Sequence, residues 1–382
     1  MPFSSNRWLL GKAAPWVALL SFAVAAQAAP PRSNDPTVPA PTPTPAPPKT
    51  VPQYDLTDLG PMSPADDDSL PKITKDGAVC YWQFVDGKTV AALWRDGKTV
   101  ALATLPPFAK GYATGINNNG KVIGVSKDIS YPGASAATLW SGKAMAAARL
   151  PHVPDATPHP GSHEGRNTRA LGINDKNVIV GSSELANSDI HAFIWADGVY
   201  KDLGTVAKGN YTFARAINKS GVIIGAGNVT DNGSNHALVW RKGVASDLGL
   251  LPGGTFSQAT AINEHNVIVG WANDKAAEVE AIVWRDGKLV SLGDLGENPA
   301  AAWGLNNKGE IVGHSFITGK KYGPAHAFLW RDGLMMDLNY LVERQPGWLL
   351  QNAYDINDRG DIVGVGSLHG TKHFFVLHLL KK

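Results

Sequence analysis

Apolar and polar residues alternate along this chain in runs of five to seven, and tight-turn residues separate the runs. The stretch beginning at Ala259 shows the unit: ATAIN, a turn at Glu264-His265-Asn266, the β-branched run VIVGWA, then EAIVW, a turn at Arg285-Asp286-Gly287, and KLVSLG. Period-two alternation bounded by Asn, Asp and Gly predicts antiparallel strands joined by hairpins, because those turns need positive φ. Helical periodicity is missing throughout. The opening motif, Ala-x-small-Ile-Asn, recurs at 113–117, 170–174, 214–218, 259–263, 302–306 (Leu305 for Ile) and 353–357, with a weaker copy at 73–76. From the Ile or Leu to a closing glycine (Gly124, Gly181, Gly225, Gly270, Gly313, Gly364) is always eight residues. Copies lie 43 to 57 residues apart, the period of a repeated supersecondary unit.

Four strands in about 45 residues make one propeller blade. Six units carry a tryptophan in the third strand: Trp94, Trp140, Trp195, Trp240, Trp284 and Trp330. The seventh offers HFFVLHLL and stops without a fourth strand. An orphan segment at 54–60, YDLTDLG, matches the fourth-strand endings KDLG (201–204) and SDLG (246–249). The expectation is an all-β, seven-bladed β-propeller over 54–382, its N-terminal strand completing the last blade and covering two sheet edges. An open solenoid would want polar caps instead.

The triplets in HAFIW (191–195), HALVW (236–240) and HAFLW (326–330), with LGLLPGGTFSQATAIN (248–263), resemble the HAF-repeat family of probable extracellular repeat proteins. The resemblance covers 54–382, although the first two units have no His in the third strand. It implies an exported bacterial protein of β-propeller type whose activity is unassigned.

The N-terminal residues change the picture of where such a ring would work. Arg7 and Lys12 precede an apolar run at 13–26, and Ala26-Gln27-Ala28 is a small-x-small cleavage site. Residues 1–28 therefore read as a signal peptide, the apolar run being short for a span of roughly 20 residues. Residues 29–53, centred on PTPTPAPP, read as a Pro-rich, extended linker. Secreted or periplasmic localisation follows, with no membrane span after cleavage. Removing 1–28 takes away two cations and no acids, so the formal charge falls from +2 to 0. A neutral chain carries no electrostatic footprint for nucleic acid. The single cysteine, Cys80, sits in AVCYW and reads as a small buried hydrophobe.

Chemistry is harder to find. The repeated Asn residues have sufficient reason in their turns, where an Asn side chain bonds its own backbone two residues on. The tryptophans are expected between blades, each indole N–H finding an acceptor. His191, His236, His326 and His373 start third strands on different blades, which suits structural hydrogen bonds rather than a shared ion. A glycine-and-lysine stretch at 115–121 lacks the hydroxyl and the helix of a phosphate loop. No nucleophile or metalloprotease motif occurs, and no cofactor is expected.

Loop lengths say more. From tryptophan to the next Ile or Leu takes 21 or 22 residues in four blades, but 33 after Trp140 and 26 after Trp330. Variation falls between strands two and three and between blades, which places it on one face, where folds usually present binding surfaces. The insertion at 150–168 holds His152, His159, His163 and Glu164, a candidate metal set or a stiff solvated loop. Arg344 and Trp348, beside Glu343, are candidate partner anchors; Lys320, Lys321 and Tyr322 occupy another long loop. Asp66, Asp67 and Asp68 form an acidic stretch on the same face. Asp355 replaces the Gly or Ala of other blades, and a buried carboxylate there needs a partner or a role. The leading expectation is a monomeric binding module for an unknown extracellular protein or glycan, with no catalysis. A polysaccharide-directed hydrolase or lyase would need convergent carboxylates at the channel mouth; a structural surface protein would need neither.

Overall fold

The computed structural model describes residues 51–62, 70–127, 135–151, 167–185, 187–207, 209–229, 234–317, 323–343 and 345–381. They form seven four-stranded antiparallel sheets arranged in a ring. The first strands of the blades are Lys72–Ile73, Lys110–Ile116, Thr168–Ile173, Thr212–Ile217, Ser257–Ile262, Gly296–Leu305 and Trp348–Ile356. Each touches the first strand of the next blade, and blade 7 touches blade 1, so these strands line a central channel. A single 3-10 turn, Leu338–Tyr340, is the only helical element among the described residues. No described helix is long and apolar enough to cross a membrane.

Closure is as the repeat predicts. The N-terminal strand Gln53–Pro61 pairs antiparallel with the last strand, Thr371–Lys381, as the outermost strand of blade 7. It extends the expected 54–60 segment at both ends. Tyr54 is 1% exposed, and its N–H donates to Leu341 O at 2.9 Å across the blade 6 junction.

The apolar core is a set of wedges between blades rather than one centre. One cluster joins blades 1 and 2 through Cys80, Leu93, Ala113 and Trp140; the next joins blades 2 and 3 through Ile123, Leu139, Ile179 and Phe193, and so on around. Cys80 is fully buried, and burial pushes its thiol up to about 12, so it packs as a hydrophobe. The tryptophans lie in these wedges, but their indoles divide. Trp140 donates to Ala103 O at 2.7 Å and Trp284 to Leu248 O at 3.0 Å. Trp195 and Trp240 bury their Nε1 with no acceptor among the described residues, contrary to the expectation that each finds one.

The histidines that begin third strands have carboxylate partners. His191 Nδ1 meets Asp202 at 2.8 Å, His236 meets Asp247 at 2.7 Å, and His326 meets Asp337 at 2.7 Å. In blade 7 the acid is Asp58 from the N-terminal strand, 3.0 Å from His373. Blades 1, 2 and 5 have neither partner: Val90 and Ala101, Ala136 and Arg149, Glu280 and Ser291 stand in those places. The pair is present or absent as a unit. It clasps the outer strand to its neighbour, and the N-terminal segment brings the missing half to the last blade.

Candidate functional site: the central channel

The repeat motif builds the channel wall. In six blades the first strand bulges at the second motif position, between Ala113/Gly115, Ala170/Gly172, Ala214/Ala216, Ala259/Ala261, Ala302/Gly304 and Ala353/Asp355. An extra residue on one strand bends it and re-aims a side chain. The small residue that follows lets the next blade come close. A Cβ added at Gly304 would lie 2.8 Å from Asp355 Cα, and one at Gly172 would lie 2.9 Å from Ala216 Cα.

The bulged residues are Thr114, Leu171, Arg215, Thr260, Trp303 and Tyr354. Chemistry differs most from blade to blade at this position; the next is Gly or Ala except in blades 1 and 7, where Lys72 and Asp355 stand. The two threonines are occupied by structure: Thr114 Oγ1 donates to Ala170 O at 2.7 Å and Thr260 Oγ1 to Ala302 O at 2.8 Å, each tying one blade to the next. The other polar members converge. The Arg215 guanidinium lies over the Trp303 ring, 5.8 Å from its centroid, and Trp303 meets Tyr354 edge-on at 5.8 Å. Trp303 Nε1 donates to His314 Nδ1 at 2.9 Å, and the two rings stack. The hydrogen bond leaves Nδ1 as acceptor, so His314 is neutral and carries its proton on Nε2. Burial draws its pKa down to about 4. Burial also pulls Arg215 down to about 10, offset in part by Tyr211 and Tyr354. Arg169 is lowered by burial in the same neighbourhood, again with Tyr211 opposing.

Arg215 also lines a chamber of about 210 Å³, with Lys72, Asp355, Leu171 and the small residues of the motif, whereas Trp303 and Tyr354 pack in a buried cluster. Lys72 and Asp355 hold the same motif position in blades 1 and 7. Lys72 Nζ is 3.7 Å from Asp355 Oδ1, and Ile73 N–H donates to Oδ2 at 3.1 Å. Burial raises the Asp355 carboxyl, with Lys72 opposing. A collar of Ile116, Ile173, Ile217, Ile262 and Leu305 separates the chamber from the mouth on the first-turn face.

At that mouth the repeated asparagines do two jobs. Each Oδ1 accepts N–H groups of its own turn, as Asn263 does from His265 and Val267 at 3.0 Å. Each Nδ2 then donates to the backbone carbonyl of the equivalent residue in the next blade. The relay runs Asn117 to Asn174, to Asn218, to Asn263, to Asn306, to Asn357 and finally to Thr74 O, at 3.0–3.1 Å throughout. The turn explanation from sequence was therefore half of the reason. Asp would serve the turn but lacks the donor that reaches the neighbour.

Of the residues singled out in the sequence, Asp355 lies in the channel with Lys72 and the Ile73 amide as partners. Trp348 opens the first strand of blade 7, half-buried, edge-on to His373 and Phe375 at 5.8 and 6.2 Å. With the exposed Glu343, Leu56 and Asn339 it borders a rim groove of about 710 Å³. Arg344, Lys320, Lys321, Tyr322, His152, His159, His163, Glu164 and Asp66 to Asp68 lie outside the described residues. No group of three or more His, Cys, Asp or Glu side chains suited to a metal occurs among the described residues. Sequence reading passed over Arg215, Trp303, Tyr354 and His314. The available signal was that the second motif position varies most in chemistry.

No protein-family model matches the chain, and no curated protein matches it. Solved structures do. The β-propeller domain of the Trilobed protease from Pyrococcus furiosus, described as having an open velcro topology, aligns with a TM-score of 0.52 at 11% identity, covering 86% of this chain and 98% of that one. A puromycin-hydrolyzing peptidase from Mycobacterium tuberculosis aligns at 0.50 and 13% identity over 78% of this chain, and the Pyrococcus horikoshii acylaminoacyl peptidase at 0.48 and 12% over 82%. The chain spans about half the length of those two peptidases, 48% and 52%. At these identities the likeness is one of fold: the protein is a β-propeller. Unlike the ring described as open, this one is sealed by its own N-terminal strand.

Proposed function

We propose that this chain is an exported, monomeric member of the HAF-repeat family. In this reading it acts as a binding module that takes its ligand at the channel and the loop-rich face rather than transforming it. The observation that carries the reading is the contrast within the repeat. Ala, the small residue, Ile and Asn recur because each closes a turn, a bulge or a blade junction, while the bulged position varies and brings Thr114, Leu171, Arg215 and Thr260 to the chamber. A scaffold that holds everything constant except the inward residues suits recognition. Among the described residues, the chamber holds one carboxylate, Asp355, already engaged by Lys72 and the Ile73 amide. The mouth carries Asp175, Glu264 and Asp358, and each accepts N–H groups from the preceding blade, which gives these carboxylates a structural role at the blade junctions. General acid-base hydrolysis of a glycoside needs an acid and a base aimed at one bond. Export rests on the charged start, apolar run and cleavage site at 1–28. The family rests on the three His-Ala-Phe/Leu triplets and the 248–263 stretch. An extracellular protein or a glycan is the partner class, and Trp348 with Arg344, or Lys320 to Tyr322, are the rim positions we assign to it.

The test is a thermal-shift screen of the chain from residue 29 against polysaccharides and secreted-protein peptides, with mass analysis of each ligand afterwards. A ligand that raises the melting temperature and is recovered intact supports the reading. Recovery of cleaved or eliminated products replaces it with the hydrolase or lyase.

A further inference from the structure

The chamber's charges do not balance. Its described lining contains two cations, Lys72 and Arg215, and one anion, Asp355. Lys72 and Asp355 satisfy each other across the junction of blades 7 and 1. That leaves Arg215 with no acidic partner among the described residues. Its surroundings are the Trp303 face, the phenols of Tyr211 and Tyr354, and apolar wall. Arg215 is half-buried, and a charge withdrawn from water without a partner is costly and ordinarily paired. The bulge in blade 4 places this one there, at a position occupied by Leu171 in blade 3 and Thr260 in blade 5, so the fold does not require an arginine.

The neighbours of Arg215 describe what would pair with it. Trp303, not itself part of the chamber lining, carries the guanidinium over its ring, and its hydrogen bond to His314 fixes the indole. A flat guanidinium fork matches a carboxylate through two parallel N–H···O bonds. The threonine hydroxyls donate to neighbouring carbonyls, so neither has a proton left to give a ligand. Leu171, Ile217 and Ile262 supply an apolar floor. A cavity of about 150 Å³ holds benzene, and this chamber, of about 210 Å³, has room for a ring or short chain with an acid head. We propose that the chamber is a binding site for a small amphiphilic monocarboxylate, with Arg215 gripping the carboxylate and the isoleucine collar enclosing the apolar body.

This inference rests on the channel being a recognition site, and it adds the class of ligand. The probes are benzoate, its neutral isostere benzamide, and inorganic phosphate, added at millimolar concentration to the chain from residue 29. Benzoate should raise the melting temperature by a few degrees, with benzamide and phosphate giving little. In Arg215→Met the ligand-free protein should melt no lower than wild type, because an uncompensated charge is gone, and the benzoate shift should vanish. If that variant does not fold, Arg215→Lys decides: it keeps the charge but not the fork, and should lose most of the shift. No response of wild type to benzoate overturns the proposal, as does an equal response to benzamide or phosphate, or a shift that survives at either variant. A glycan or peptide bound at the loop-rich face without dependence on Arg215 would sustain the binding-module reading and still overturn this one.

Discussion

Asn263 illustrates how much one side chain carries here. Its Oδ1 takes two amides of its own turn and its Nδ2 reaches Asn306 O in the next blade. Asn263→Asp keeps the first job and forfeits the second, leaving a buried carbonyl facing a carboxylate. It should lower stability by about 1–3 kcal/mol, seen as a shifted denaturant midpoint with an unchanged slope. Asn263→Ala removes both jobs and should cost more. His314 gives a prediction in pH. Its folded pKa, about 4, lies below the ordinary 6.5, so protonation favours the unfolded chain. Stability is fully present above pH 6.5 and should fall by about 2–3 kcal/mol on acidification toward pH 4. Thermal melts of wild type and His314→Phe across that window should converge, since the variant lacks this slope. The turn role of the asparagines was legible in sequence because it is local. Their reach to the next blade was not, because only the ring brings residues 43 to 57 positions apart into contact.

Among the elements, the first two strands of each blade form the most constrained pair. The closing glycine sits opposite the motif alanine, immediately beside the bulge, as Gly270 faces Ala259. A Cβ at any of the six closing glycines would collide with a backbone carbonyl of the first strand, that of Gln258 in the case of Gly270. This explains the invariant eight-residue spacing: the bulge crowds the partner strand at one register position only. Gly270→Ala should cost about 2–4 kcal/mol, measured by urea unfolding, whereas Gly287→Ala in the outer hairpin meets open space and pays only the backbone strain of its positive φ. Strand number, turn positions and blade order were readable from alternation and punctuation. The bulge was not, because one extra residue in a short apolar run leaves the pattern of residue types unchanged. With the bulge went the chamber wall: sequence reading passed over Arg215, which the bent strand brings to the chamber.

At the scale of the molecule, stability depends on joining the two ends of the described ring. The N-terminal strand adds Tyr54 and Leu59 to buried clusters, supplies Asp58 to His373, and covers the edge of the eleven-residue strand Thr371–Lys381. Each buried side chain of this size contributes about 1.5–3 kcal/mol, before any ladder hydrogen bonds. Deleting 51–61 should therefore lower the melting temperature sharply and expose a long strand edge, a template for self-association. Calorimetry with light scattering checks this; a truncated chain that melts as before and stays monomeric would refute closure as the stabilising event.

Near-identical units create a hazard of miscounting, since any blade edge resembles any other. Lys72 and Asp355 break that equivalence. Were blade 7 to dock on blade 2, shutting a smaller circle with blade 1 left out, Asp355 would face Gly115, and its carboxylate would be stranded in the interior without a cation. The ion pair thus marks the junction of blades 7 and 1 as different from the others, and exchanging it for two glycines should weaken closure there, read as a lower melting temperature.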